Sequence, residues 1–212
     1  MPSLPLYDTK KNKVGTIDLN DAVFSVEVRP YLLNDAVRAQ MAWKYENKTA
    51  SSKTRTEVHG TRKKMFKQKG TGQARHGDAK SPTFVGGGKA HGPRPHQRTH
   101  KINKKVMRAA LVTALTLNQR EDRLFVVDKL ELDKLETKAV NQALKAFGLD
   151  KALVVNTSEG KKEQAFNQSL RNLPKVKFLR PEGVNVFDIL KYRNVLVSKK
   201  AVQKLTERLN HV

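Results

Sequence analysis

The chain contains no cysteine, which excludes disulfides and thiolate metal sites. It has few acids for its size: 20 Asp and Glu against 42 Lys and Arg, a formal net charge of +22 over 212 residues. Aromatic residues make up 6% of the chain, with a single Trp. No run approaches the roughly 20 consecutive apolar residues that a membrane-spanning helix needs, and MPSLPLYDTKK at the start lacks the apolar core of a signal peptide. These absences predict a soluble, intracellular chain whose partner is anionic.

The lack is sharpest between 47 and 105. Aliphatic side chains there come down to Val58, Val85 and Ile102, and acids to Glu57 and Asp78. The same stretch holds 16 Lys and Arg and eight of the chain's twelve glycines. No apolar face of helical or strand period runs through it. Such a segment buries too little apolar surface to offset its own ordering entropy. It is expected to be loose alone and to order against a polyanion, with nucleic acid the leading choice. An anionic membrane would require an amphipathic helix with a Trp/Phe/Leu face; Phe66 and Phe84 among eight glycines do not supply one.

Outside this stretch, apolar periodicity returns. Leu4–Tyr7 and Val14–Ile17 flank the turn-prone Lys11-Asn12-Lys13 and predict a hairpin or two edge strands. The alternation through Ala22, Phe24, Val26 and Val28 predicts a third short extended segment. Pro30 opens a helix with Leu33, Ala36, Val37 and Met41 inward, and Trp43 and Tyr45 are expected to pack near its end. Val106, Ala109, Ala110, Thr113, Ala114 and Leu117 follow helical spacing. Then come LFVVD at 124–128, a helix capped by Thr137 and ended by Gly148, and ALVVN at 152–156. A helix from about Gly160 to Leu173, a strand at Val176–Leu179, a helix at Val184–Leu190, a strand at Asn194–Val197 and a last helix capped by Ser198 complete the chain. Continuous Val/Leu strands alternating with helices imply parallel pairing with both faces covered. The expected fold is α/β: an open doubly wound, mostly parallel sheet of about four strands with flanking helices, plus one long basic extended loop. Residues 1–46 and 106–212 are expected to form the globular body, with 47–105 an extended basic loop inserted in it and suited to bind RNA or another nucleic acid.

Motifs of other functional classes fit poorly. Lys67-Gln68-Lys69-Gly70-Thr71-Gly72-Gln73-Ala74-Arg75 is glycine-rich but lacks the spacing and the strand–helix flanks of a phosphate-binding loop. Its glycines suit sharp turns or close backbone approach, as do Gly86-Gly87-Gly88. His91, His96 and His100 could suit zinc only on an ordered scaffold; stacking on bases or bonding to phosphate fits them better. Asp128 and Asn156 sit at strand ends, where doubly wound folds bind ligands, yet such residues are more often ordinary turn formers. Lys200, Lys204 and Arg208 form either a solvated helix face or a second RNA patch. No Ser/His/Asp set and no paired carboxylates are readable, so an enzyme is not expected. A DNA-binding reading would call for a recognised reading motif, and none is present.

Thr54-Arg55-Thr56-Glu57-Val58, Lys67 to Gly72, Ala74-Arg75, Lys80-Ser81-Pro82, Gly86-Gly87-Gly88 and Asn103-Lys104-Lys105 closely resemble, in order and spacing, the bacterial form of large-subunit ribosomal protein four, the L-four family. LFVVD, ALVVN and NVLVS fall where that family has strands, so the resemblance spans essentially the whole chain. Two departures stand out: Met65-Phe66 where the family commonly has Pro-Trp, and Gln73 where it often has Arg.

The resemblance implies a non-enzymatic structural constituent of the large ribosomal subunit, cytoplasmic within the ribosome. Its partners would be large-subunit ribosomal RNA and neighbouring large-subunit proteins, with no cofactor, metal, membrane or small-molecule substrate. The loop would contact RNA through Lys53, Arg55, Arg62, Lys63, Lys64, Lys67, Gln68, Lys69, Gly70, Thr71, Gly72, Arg75, Lys80, Lys89, Arg94, Arg98, Lys101, Lys104 and Lys105. Its tip, Met65, Phe66, Lys67, Gln68, Lys69 and Gly70 and on to Gly72, would reach the wall of the nascent-peptide exit tunnel. Some family members also repress their own operon.

Overall fold

The computed structural model of the chain describes residues 2–44, 46–47, 50–97 and 100–210. Two compact units emerge: residues 1–41 with 101–212, and residues 42–100.

The first unit is the α/β body. Its N-terminal hairpin is β1 (Ser3–Tyr7) and β2 (Lys13–Asp18), antiparallel, turning at Lys11 with a positive φ of 66°. A four-residue helix, α1 (Asp21–Phe24), and the longer α2 (Pro30–Lys44) follow. The short strands β3 (Glu46–Asn47) and β4 (His96–Gln97) belong to the second unit. After it the body resumes with α3 (Lys104–Arg120), β5 (Leu124–Val127), α4 (Thr137–Ala146), β6 (Ala152–Val155), α5 (Lys161–Leu170) and β7 (Val176–Leu179). A 3-10 turn at Pro181–Gly183 leads into α6 (Val186–Tyr192), β8 (Asn194–Ser198) and α7 (Lys199–Asn210).

The sheet has six strands in the order β2-β1-β5-β8-β6-β7, five of them parallel. That is more than the four expected. The difference is the hairpin: β1 joins the sheet by placing Leu6 opposite Val126 and Tyr7 opposite Val127, which leaves β2 as an antiparallel edge. The central strands are apolar throughout because both faces are covered, yet their side chains still alternate. Leu153, Val155, Val126, Val195 and Val197 enter a cluster with residues of α1, α2, α3, α6 and α7. Ala152, Val154, Val127 and Leu196 enter a second cluster with residues of α4 and α5.

Local signals set most boundaries. After α4, Gly148 takes φ +71°; its N–H bonds Lys145 O and the Leu149 N–H bonds Leu144 O, a Schellman ending. Ser198 Oγ accepts from Ala201 N at 3.3 Å and caps α7 as expected. Thr137 does not cap α4: it is the first helical residue, Glu136 holds the cap position, and no side chain bonds there. Helix α5 ends at Leu170, three residues short of the expected Leu173, and α6 runs two residues later than expected.

The extended segment expected at 22–28 is not formed: residues up to Phe24 belong to the turn of α1, and 25–28 are irregular. Asn20 Oδ1 accepts from Ala22 N at 2.9 Å, and the adjacent Val23 and Phe24 are both buried, which a turn of helix allows and a half-exposed strand does not. In α2, Leu33, Ala36 and Ala39 point inward, whereas Met41 is 55% exposed and Trp43 53%. Gln40, not Met41, continues the inner face, its Oε1 accepting from Phe187 N at 2.8 Å. Tyr45 lies outside the described residues.

Candidate nucleic-acid interface

Residues 42–100 carry 14 Lys and Arg against Glu46, Glu57 and Asp78, so this unit holds half the chain's net charge. Among its described residues, the strands β3 and β4 are the only regular structure between the end of α2 and residue 100, as the missing apolar period implies. Backbone hydrogen bonds hold it. Glu46 pairs with Gln97 and Asn47 with His96. Further in, Ser52 N bonds Pro93 O, Lys89 N bonds Lys53 O, and Gly88 N bonds Lys80 O, at 2.9–3.1 Å. Gly88 makes this closeness possible: a Cβ there would lie 2.3 Å from Arg55 N. Gly70 and Gly72, at φ +84° and +64°, have open space around them and turn the chain.

Ion pairing inside the unit is selective. Arg94 forks onto Glu57 with distances of 2.7 and 2.9 Å. That bond, with a second from Thr54 N, holds the Glu57 carboxyl below its ordinary range. Arg55 Nε lies 3.9 Å from Asp78, whose other oxygen is buried and unpartnered. Both acids of the stretch are therefore engaged by cations of the unit: Glu57 in an exposed fork with Arg94, and Asp78 largely enclosed beside Arg55. Lys53, Arg55, Arg62, Lys63, Lys64, Lys67, Lys69, Arg75, Lys89 and Arg94 are exposed, as are Met65, Gln68, Gly70, Thr71 and Gly72, while Phe66 is half-buried.

Lys80 departs from this pattern. It is 6% exposed, and its stem passes 3.4 Å from where a Gly60 Cβ would stand. Arg98 lies outside the described residues. Lys101, Lys104 and Lys105 are exposed in the first unit, the last two on the opening turn of α3.

Sequence reasoning missed a small aromatic stack. His76 lies edge-on to Phe66 at 6.2 Å between ring centres and tilted against Phe84 at 4.7 Å. The only available signal was two phenylalanines in a stretch otherwise poor in large apolar side chains.

Asn156 and the three cations of α7 find ordinary partners. Asn156 is buried and donates to Leu130 O at 3.0 Å and Asn167 Oδ1 at 3.2 Å. On α7, Lys200 bonds Glu163 at 2.9 Å, Lys204 bonds Glu159, and Arg208 donates to Pro181 O at 2.7 Å. All three cations thus have partners within the body. Among the described residues, no three His, Asp or Glu side chains gather as metal ligands, and no helix is long and apolar enough to cross a membrane.

A glycine-rich chain studded with exposed cations has the chemistry to follow a phosphate backbone. Guanidinium forks bind phosphate bidentately and stack on bases, ammonium groups act as point charges, and unhindered backbone can approach closely.

The model of the Ribosomal protein L4/L1 family matches residues 17–208. Large ribosomal subunit protein uL4 of Geotalea daltonii is 45% identical over 205 residues, which cover 97% of each chain. The protein of the same name from Geobacter sp. is 44% identical with the same coverage. That of Pelobacter propionicus is 39% identical over 99% of this chain and 100% of its own.

Proposed function

The chain belongs to the ribosomal protein L4/L1 family, and from that premise we propose that residues 42–100 bind large-subunit ribosomal RNA while the α/β body anchors them. As a member it is a non-enzymatic structural constituent of the large ribosomal subunit. The observation that carries the RNA reading is the imbalance in the second unit: Glu57 and Asp78 turn to cations of their own unit, while most of the remaining cations face outward. Exposed charges of one sign repel each other unless a counter-charge is supplied. Folded RNA supplies it and admits an extended chain between its helices. Within this reading Met65 to Gly72 form the tip at the exit-tunnel wall, since Gly70 and Gly72 turn the chain there. Neighbouring large-subunit proteins would contact the body.

The test is the salt dependence of binding to purified large-subunit ribosomal RNA. Neutralising about ten phosphates gives a log–log slope near −7, with the single-strand coefficient as guide. A slope near zero, or a chain that fails to sediment with large subunits in lysate, contradicts the proposal. The tip is tested separately by Lys69→Glu, which sets a carboxylate among phosphates. Variant ribosomes should assemble and show altered sensitivity to macrolides that bind the tunnel; normal assembly with unaltered sensitivity would remove the tip assignment and leave RNA binding standing.

A further inference from the structure

Lys64 sits in the run Arg62-Lys63-Lys64, where all three side chains are exposed and look alike in sequence. Its contacts set it apart. Its ammonium donates to the backbone oxygen of His76 at 2.9 Å and to Gln68 Oε1 at 2.8 Å. Just beside it, Met65 N bonds Gly77 O at 2.9 Å. These bonds close the neck of a loop running from Met65 to Gly77, and the Gln68 contact ties the neck to the loop's interior. Phe66 and His76, at the two sides of the neck, meet edge-on, and His76 leans on Phe84 outside the loop. Two of the three ammonium donors are thus committed within the chain.

We infer that Lys64 is a positioning residue: it clamps the loop 65–77 so that Lys67, Lys69 and Arg75 are presented to RNA, and it is not itself a phosphate contact. The inference rests on the RNA-binding reading above. A loop of this composition has no hydrophobic core to hold its shape, so each side-chain bond across the neck removes disorder that binding would otherwise have to overcome. Neutralising a phosphate and pre-ordering a loop leave different marks. A residue that neutralises one phosphate contributes roughly 0.7 to 0.9 to the salt slope. A clamp contributes affinity with no counter-ion released.

The experiment measures binding of the full chain to purified large-subunit ribosomal RNA at fixed magnesium over a series of salt concentrations. Arg62→Ala and Lys63→Ala should each make the slope shallower by roughly 0.7 to 0.9. Lys64→Ala should weaken binding about tenfold at every salt concentration with the slope unchanged, since ordering costs are not electrostatic. Lys64→Arg, which still donates to both acceptors, should recover most of the loss. In the free chain, Lys64→Ala should also speed hydrogen exchange at the Met65 amide, a change that loss of a phosphate contact would not cause. If Lys64→Ala flattens the slope as Arg62→Ala does, or leaves both affinity and Met65 exchange unaltered, the clamp is overturned. If the unaltered chain shows no salt-dependent binding, the RNA reading itself fails, so the two failures are distinguishable.

Discussion

In the body, Leu153 and Val154 sit on one strand, face opposite core clusters, and are wholly enclosed. In residues 42–100, Val85 is fully exposed, and among the described residues only Lys80 and Gly88 are buried. The body thus draws on apolar burial, which neither salt nor a partner needs to supply. The basic unit draws on backbone hydrogen bonds, one forked ion pair and a three-ring stack, each modest in water. The contrast separates how the two regions are held: the body by enclosed apolar side chains, the basic unit by polar contacts that leave most of its cations exposed. It also predicts that damage to one unit will not read out in the other.

The largest effect should come from the core. Leu153→Ala leaves a cavity between sheet and helices and should cost the body about 3 kcal/mol in a urea titration. Binding by residues 42–100 should be retained at urea concentrations where the body remains folded. Loss of RNA affinity under those conditions would mean the two regions are not separable.

A smaller loss is expected at Glu163, which is buried where β6 ends. Burial alone would raise its pKa, but bonds from Lys200, Thr157 and Glu159 N outweigh it and hold the carboxyl below its ordinary value, while Lys200 is raised. The carboxylate's contribution is therefore complete above its ordinary pKa and fades as pH falls through the depressed one. That of Lys200 is complete below its ordinary pKa and fades as pH rises through the raised one. Glu163→Gln should cost about 1–2 kcal/mol near neutrality, since Lys200 is more than half exposed, and flatten the acid limb of the stability profile. An unchanged acid limb would show that the pair contributes nothing there.

Gly88→Ala sharpens the contrast from the other side. Its Cβ would collide with the backbone at Arg55, so the unit must open there. RNA affinity should fall about tenfold through lost pre-ordering, with the body's urea midpoint unmoved. A shifted midpoint would couple the two regions.

The body was the more legible of the two in sequence. LFVVD, ALVVN and NVLV read as buried parallel strands because burial on both faces forces continuous apolar runs. Helix ends were readable where one residue decides them, as at Gly148 and Ser198. The joining of β1 to β5 was not, because a pairing across more than a hundred residues leaves no local trace. Nor was α1, where a four-residue turn mimics alternation. In the basic unit, sequence showed the charge but not its contacts: Lys63 and Lys64 are identical letters, and only the fold gives the Lys64 ammonium its bonds to His76 O and Gln68 Oε1. Likewise Lys80 is enclosed, its stem lying against Gly60, which composition cannot register.

Limited trypsin digestion, with and without purified large-subunit ribosomal RNA, tests the division of labour most directly, because Lys and Arg occur in both regions. In the free chain the first cuts should fall between 47 and 105, where no apolar burial opposes opening, and the body should persist as resistant fragments. Added RNA should protect the basic stretch and leave the body's cleavage unchanged. First cuts within the body, or a basic stretch that resists trypsin equally with and without RNA, would contradict the account.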